Sequence, residues 1–440
     1  MGNSGYRPGG GGRASGPGRL TIVVLIITAL AMLLAACGQG GGGSPQEQPG
    51  NGEQVNAAGR GRPIKIGVVL SITGHAGAQG EAARNAVDLL RDEFVQAGGR
   101  PLEWVVYDDA TDAGTARAAV ERAIIHDGAA AVICCSTSHN TMAVLSIIED
   151  HGVPLLTLSP VLPPVRQEDG PADEGQQEGN RPADWVFQIP PGEEVLMEII
   201  AQHMAGTGVA KAAFLGVNDE RADQVQAAFV AAMAAHEIEG AAMEHFRRGD
   251  EDLEAQLTAV SLAGAEALVL WAPGASAENV HRQLRELGMA MPVYHAHGEA
   301  GGPLPAPGEP LLATTFVPVG KLTMASHLAE DDPQRERVVP FRTRYENRFG
   351  AGSVNSFSGY AHDAMLLVST ALAEVLAEPG TATNPGTLRP LVRDALAQLE
   401  DVPGVSGVFT FSPSDESHRG LDGRAAVLVG VGRTGWEPVQ

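Results

Sequence analysis

The chain has 440 residues, three cysteines and a formal net charge of −23. A prior of about 150 residues per domain allows two or three domains, and so few cysteines exclude a disulfide framework. A body this acidic is repelled by nucleic acid and by anionic lipid, and no basic aromatic patch offsets the repulsion, so nucleic-acid binding is excluded.

Residues 1–36 stand apart from the rest. Arg7, Arg13 and Arg19 precede the apolar run Leu20–Ala36, which ends at Cys37. Basic residues, a short apolar core and small residues before a cut site are the plan of a secretory signal. A membrane-spanning anchor wants about 20 apolar residues, which makes this run marginal for one, and an uncleaved anchor is the alternative. Removing its three arginines takes the net charge from −23 to −26. Gly38–Arg62 is rich in Gly, Gln, Pro and Asn without apolar periodicity, and reads as a flexible leash.

Strand and helix patterns then alternate. Ile64–Leu70 is a continuous apolar run of the kind buried on both faces of a parallel sheet. A Gly/Ser/Thr-rich loop, Ser71–Gly80, follows it, and then a helix with Ala83, Val87, Leu90 and Phe94 on one face. Such a loop delivers free backbone N–H groups to a helix start, which favours an anion, and ligands of open parallel sheets sit beyond the carboxyl ends of the strands. Further strands are expected at Leu102–Tyr107, Ala130–Cys134 and Val153–Leu158, with helices at Gly114–Asp127 and after Ser138 through His151. Strands separated by such helices imply right-handed crossovers. The polar, acidic stretch Val165–Asp184 breaks the rhythm and reads as a linker.

The alternation restarts with strands at Ala210–Val217, Ala241–Phe246, Ala267–Trp271 and Val293–His297, and helices at Asp223–His236, Leu253–Ala263 and Ala277–Gly288. Two sets of four strands make two similar lobes. In the tail, Leu312–Val319, Val408–Phe411 and Ala426–Val431 read as strands, and Pro333–Phe349, Phe357–Leu376 and Thr387–Leu399 as helices. The tail is too long to cap the second lobe alone and is expected to cross back and complete the first, giving a hinge and a closing cleft.

Several residues invite chemical readings. Cys134 and Cys135 are two small buried residues ending a strand, a vicinal disulfide, or soft-metal ligands. Asp108, Asp109 and Asp112 lie where a strand meets a helix, as turn and cap residues do. His295 and His297 share one face of a strand, with Glu299 two residues on, which makes a metal receptor a rival reading. No G-x-S-x-G, H-E-x-x-H or P-loop is present, so neither an enzyme nor a cofactor is indicated.

An ordered series of short motifs resembles a known family. Lys65-Ile66-Gly67, Ser71 with Thr73-Gly74 and Gly80, Tyr107-Asp108-Asp109, Asp127-Gly128 and Gly152-Val153-Pro154 resemble the type I periplasmic solute receptors of ABC importers. Gln256-Leu257, Leu284–Gly288, Tyr294–Gly298, Asp332-Pro333 and Phe411-Ser412-Pro413 continue the series. Within that family the chain is most similar to the Leu/Ile/Val-binding branch, some motifs resembling receptors for aromatic acids. Leu34-Ala35-Ala36-Cys37 also resembles a bacterial lipobox, whose cysteine is acylated.

The resemblance implies an α/β fold of two doubly wound parallel-sheet lobes joined by a three-crossing hinge. It divides the chain into a signal peptide (1–36), a lipidated Cys37 with a linker (37–63), a first lobe (64–184 with about 314–420) and a second (185–313 with about 421–440). It implies a monomer, tethered outside the cell membrane by lipid, that serves an ABC permease and ATPase. A sensor reporting to a signalling partner would use the same fold. By the family's pattern Ser136, Thr137 and Ser138 hold the ligand carboxylate, Ser159 contributes beside them, and Phe357 packs on the ligand. Gln79 stands where the family often has an aromatic residue, and Arg221 where it has a tyrosine. Trp271 ends a second-lobe strand, where its ring would face the ligand or the core. His297 stands where amino-acid receptors place an acid against the ligand ammonium. An ammonium without a charge partner in a closed cleft costs several kcal/mol, so this substitution favours a small carboxylate lacking the amine.

Overall fold

The structure, a computed structural model, describes residues 62–161, 182–219, 221–272, 275–295, 314–411, 418–432 and 436–439. Residues 1–36, Cys37, the leash up to residue 61, most of the expected linker, His297 and Glu299 lie outside the described residues.

The first sheet is built from β1 (Ile64–Leu70), β2 (Gln96–Ala97), β3 (Arg100–Asp108), β4 (Ala131–Ile133), β5 (Leu155–Thr157) and β6 (Val186–Gln188). Its order is β2-β3-β1-β4-β5-β6, parallel throughout except for the β2 edge. The pleat sends Ile64, Ile66, Val68 and Leu70 to one face and Val69 to the other, so both faces of β1 need cover. On the second face lie α2 (Ala113–Glu121), a π turn at Arg122–His126 and α3 (Ser138–His151). The first face is covered by α1 (Gly77–Leu90), α8 (Arg335–Phe349), α9 (Ser356–Ala377) and α10 (Pro385–Leu396), whose apolar residues join those of β1 in one core. The tail therefore does complete the first lobe.

The second sheet combines β7 (Lys211–Val217), β8 (Glu239–Phe246), β9 (Ala267–Trp271), β10 (Val293–His295), β11 (Thr315–Gly320), β14 (Ala426–Val431) and β15 (Trp436–Pro438). The order is β15-β14-β11-β10-β9-β7-β8, with β14 and β15 antiparallel to a parallel body. One core packs α4 (Glu193–Gly206) and α5 (Ala222–Ala235) on this sheet; another packs α6 (Glu254–Leu262) and α7 (Ala275–Glu286). Strands β12 (Val402–Pro403) and β13 (Val408–Phe409) form a separate hairpin.

Two equal sets of four strands do not describe these sheets of six and seven. Val186–Gln188 lies past residue 184 yet belongs to the first sheet, and Thr315–Gly320 lies past residue 313 yet belongs to the second. The chain passes between the sheets after β6, after β11 and before β14. The first two crossings leave from carboxyl ends of strands parallel to their neighbours, so the carboxyl edges of both sheets face the crossings. A parallel bridge between Gln188 and Arg419, and an Arg419–Glu194 ion pair at 2.6 Å, tie the first crossing to the third.

Candidate functional site

Lobe one brings its hydroxyls together at the carboxyl edge. Thr137 caps α3, its oxygen accepting the Asn140 amide at 3.3 Å, as an extended Ser or Thr before a helix does. The buried Ser136 hydroxyl accepts the Ser71 amide at 3.2 Å, joining the ends of β1 and β4. Ser138 Oγ donates to the Pro160 carbonyl at 2.8 Å, and Ser159 Oγ lies 2.8 Å from Thr141 Oγ1. Ser136, Thr137, Ser138 and Ser159 thus gather around the amino terminus of α3, each bonded to a different partner. Gln79 is half-buried in the first turn of α1.

Around this cluster are polar atoms that motif reading passed over. The buried Ser71 hydroxyl, the Asp109 Oδ2 and both amide atoms of Asn140 have no hydrogen-bond partner among the described residues. Groups of this kind are costly unless something else satisfies them. Asp108 does turn work as expected, accepting the Ile72 and Thr73 amides and the Thr73 hydroxyl at 3.0, 3.1 and 2.7 Å. Burial alone would raise its pKa, but the hydrogen bonds from Thr73, Ala110 and Ile72 hold it below the ordinary value. Asp112 caps α2 through Thr115.

Cys134 and Cys135 are both buried, and they form a vicinal disulfide rather than two free buried thiols. Oxidised to each other, they are removed as thiolate ligands.

Lobe two contributes a charged cluster. Arg221 is paired within lobe two: its Nη2 donates to Oε1 of Glu193, and its guanidinium lies 5.2 Å from the centre of the Trp271 ring. Asp219 Oδ1 accepts the Arg221 amide at 3.0 Å and the Trp271 indole N–H at 3.4 Å, which fixes both groups. Burial lowers the Arg221 pKa to about 10, so it stays charged at neutral pH. Trp271 is half-buried at the carboxyl end of β9 and packs against the core beneath α4 and α5. Phe357 is buried in the lobe-one core, edge-on to Tyr360 at 5.7 Å.

His295 is committed elsewhere. Its Nε2 lies 2.9 Å from Nε2 of His281, both rings buried and stacked. Burial, and then the charge of the neighbouring Arg285 or His281, pushes both imidazoles well below the usual histidine range.

The sequence matches a family model described as "Periplasmic binding protein" over residues 63–428. The chain belongs to that family. Among curated periplasmic binding proteins, it is 26% identical to a Leu/Ile/Val-binding protein homolog of Brucella melitensis over 53% of this chain and 61% of that one. It is 32% identical to a leucine-, isoleucine-, valine-, threonine- and alanine-binding protein of Pseudomonas aeruginosa over 23% of this chain and 28% of that one. The matches therefore span less than two thirds of either curated relative. An extracellular ligand-binding receptor from Rhodopseudomonas palustris superposes with a TM-score of 0.68 at 24% identity, covering 86% of this chain and 100% of that one. The isoleucine complex of a branched-chain amino acid transporter substrate-binding protein from Streptococcus pneumoniae superposes with a TM-score of 0.61 at 21% identity, covering 86% and 99%. At these identities the superpositions establish the type I periplasmic binding protein fold.

Proposed function

We propose that this periplasmic binding protein is the solute receptor of an ABC importer. It captures a small carboxylate (an aromatic or branched organic acid, or a branched-chain amino acid) between its lobes and delivers it to a membrane permease. The observation that carries the reading is the gathering of Ser136, Thr137, Ser138 and Ser159 around the amino terminus of α3, at the sheet edge that faces the crossings. Hydroxyls and the positive end of a helix dipole are suited to a carboxylate. Trp271 and the buried charge pair on lobe two supply the opposite wall. Closing the lobes excludes water and strengthens each of these contacts. Acylated at Cys37, the receptor is held on the outer face of the membrane by its leash.

Titration calorimetry against aromatic acids, branched-chain acids and amino acids tests this reading. Ser136→Ala and Thr137→Ala each weaken binding by about 1.5–3 kcal/mol, as expected for hydrogen bonds to a charged group, without unfolding the protein. Binding that survives both substitutions undiminished removes these residues from the site.

A further inference from the structure

Resting on the reading above, we infer that the Cys134–Cys135 disulfide is a redox switch on ligand capture. Intact, it holds Ser136 in the carboxylate site; reduced by a dithiol, it lets Ser136 go. The two cysteines stand between β4 and the residues that cap α3. Both are fully buried, packed with Val69, Val144 and Leu155 in the core beneath α2 and α3. On one side of the pair, the Cys134 amide donates to the Leu156 carbonyl of β5 at 3.0 Å. On the other, Ser136 Oγ accepts the Ser71 amide and Thr137 caps α3. Carboxylate capture makes no other use of the two sulfurs.

A bond between adjacent side chains closes a small ring through the backbone of both residues, and reduction opens it. Two thiols need more room than two bonded sulfurs, and a close-packed core yields it only by moving neighbours. Pairing with β1 on one side and β5 on the other pins β4, so the shift falls on Ser136 and the cap. The same edge holds the buried Ser71 hydroxyl, Asp109 Oδ2 and the Asn140 amide, all without partners among the described residues. These groups can pair anew when the chain beside them moves, which gives the edge a second arrangement. The chemistry is thiol–disulfide exchange. One thiolate of the dithiol attacks a cysteine sulfur, releases the other cysteine and forms a mixed disulfide. The second thiolate then attacks the first sulfur of the dithiol and displaces the remaining cysteine. The dithiol leaves as a cyclic disulfide, and two electrons and two protons pass to Cys134 and Cys135. Linkage makes the coupling reciprocal: whatever factor reduction takes from ligand affinity, bound ligand adds to the resistance of the disulfide.

The test is calorimetry on the full chain with L-leucine, L-phenylalanine and the desamino acid of each, before and after dithiothreitol. Alkylation and mass spectrometry of the peptide that carries both cysteines reports their state. Reduction weakens the ligand that binds the oxidised protein about tenfold or more, the effect of one lost hydrogen bond to a charged group. Reoxidation with oxidised dithiothreitol restores the affinity. In mixtures of reduced and oxidised dithiothreitol, saturating ligand raises the ratio that half-reduces the pair by the same factor. Cys134→Ala with Cys135→Ala binds with an affinity that dithiothreitol does not change, and a circular-dichroism melt verifies its fold. Should that variant not fold, the wild-type arms decide alone. Undiminished affinity in protein reduced at both cysteines, or a pair that stays oxidised in excess dithiothreitol, overturns the switch and leaves carboxylate capture standing. An equal loss in the double variant on adding dithiothreitol also overturns it. Failure of all four ligands to bind the oxidised protein overturns carboxylate capture and the switch together.

Discussion

Asp363, buried on α9, accepts the Val405 and Ser406 amides at 2.8 and 2.7 Å and lies 2.7 Å from His362 Nδ1. No motif marks it, because the amides it satisfies lie some 40 residues further along the chain. Removing it strands two buried donors, and Asp363→Ala is expected to cost about 2–5 kcal/mol in urea unfolding, with Asp363→Asn in between. The His281–His295 pair makes a prediction about pH. Both imidazoles are held neutral in the fold, while in the unfolded chain they titrate near about 6.5. The unfolded state therefore binds more protons below that pH, and stability falls as pH drops from about 6.5 toward 4, by up to about 1.4 kcal/mol per pH unit for each ring. Unfolding free energies at pH 7 and pH 5 check this: His281→Leu with His295→Phe flattens the slope, and an unchanged slope would place the titrating groups elsewhere. At this scale the sequence singles out Arg221 but says nothing of its partner. The side chain that pairs with Arg221 lies 28 residues earlier, and no local spacing reports such a contact.

Among the elements, the long ones were legible and the short ones were not. β1 and β7, at seven residues each, are apolar for long enough to separate a buried strand from its neighbours. β6 has three residues, little more than one pleat repeat, and it was missed together with α4, although Leu196, Met197, Ile200 and Met204 follow helical spacing. Missing this strand–helix pair shifted the boundary between lobes and hid Glu193. The motif series fared better where a glycine is sterically required. A Cβ on Gly80 would lie 2.1 Å from the Ser71 carbonyl oxygen, so α1 can start against the end of β1 only with glycine there. Gly80→Ala should destabilise the protein by about 1–3 kcal/mol or more in chemical unfolding. It should also weaken carboxylate binding, because Ser71 carries the amide that Ser136 accepts. Normal stability with normal binding would mean that the loop relaxes freely.

For the whole molecule, the alternation of strands and helices carried the α/β class, and the ordered motifs carried the family. The tail's return to lobe one also followed from its length. What the chain alone withheld was the assignment of single strands to sheets, since β11 and β14 pair antiparallel across more than 100 residues of sequence. Three crossings between two separately packed sheets allow the lobes to move as units, and a ligand stabilises the closed state only by its extra affinity for it. Small-angle scattering of the protein, alone and saturated with the tightest-binding amino acid or carboxylate of the calorimetric screen, tests that claim most directly. The account predicts a smaller radius of gyration in the bound state, with Ser136→Ala needing more ligand to reach it. Identical scattering curves at proven saturation would contradict capture by closure.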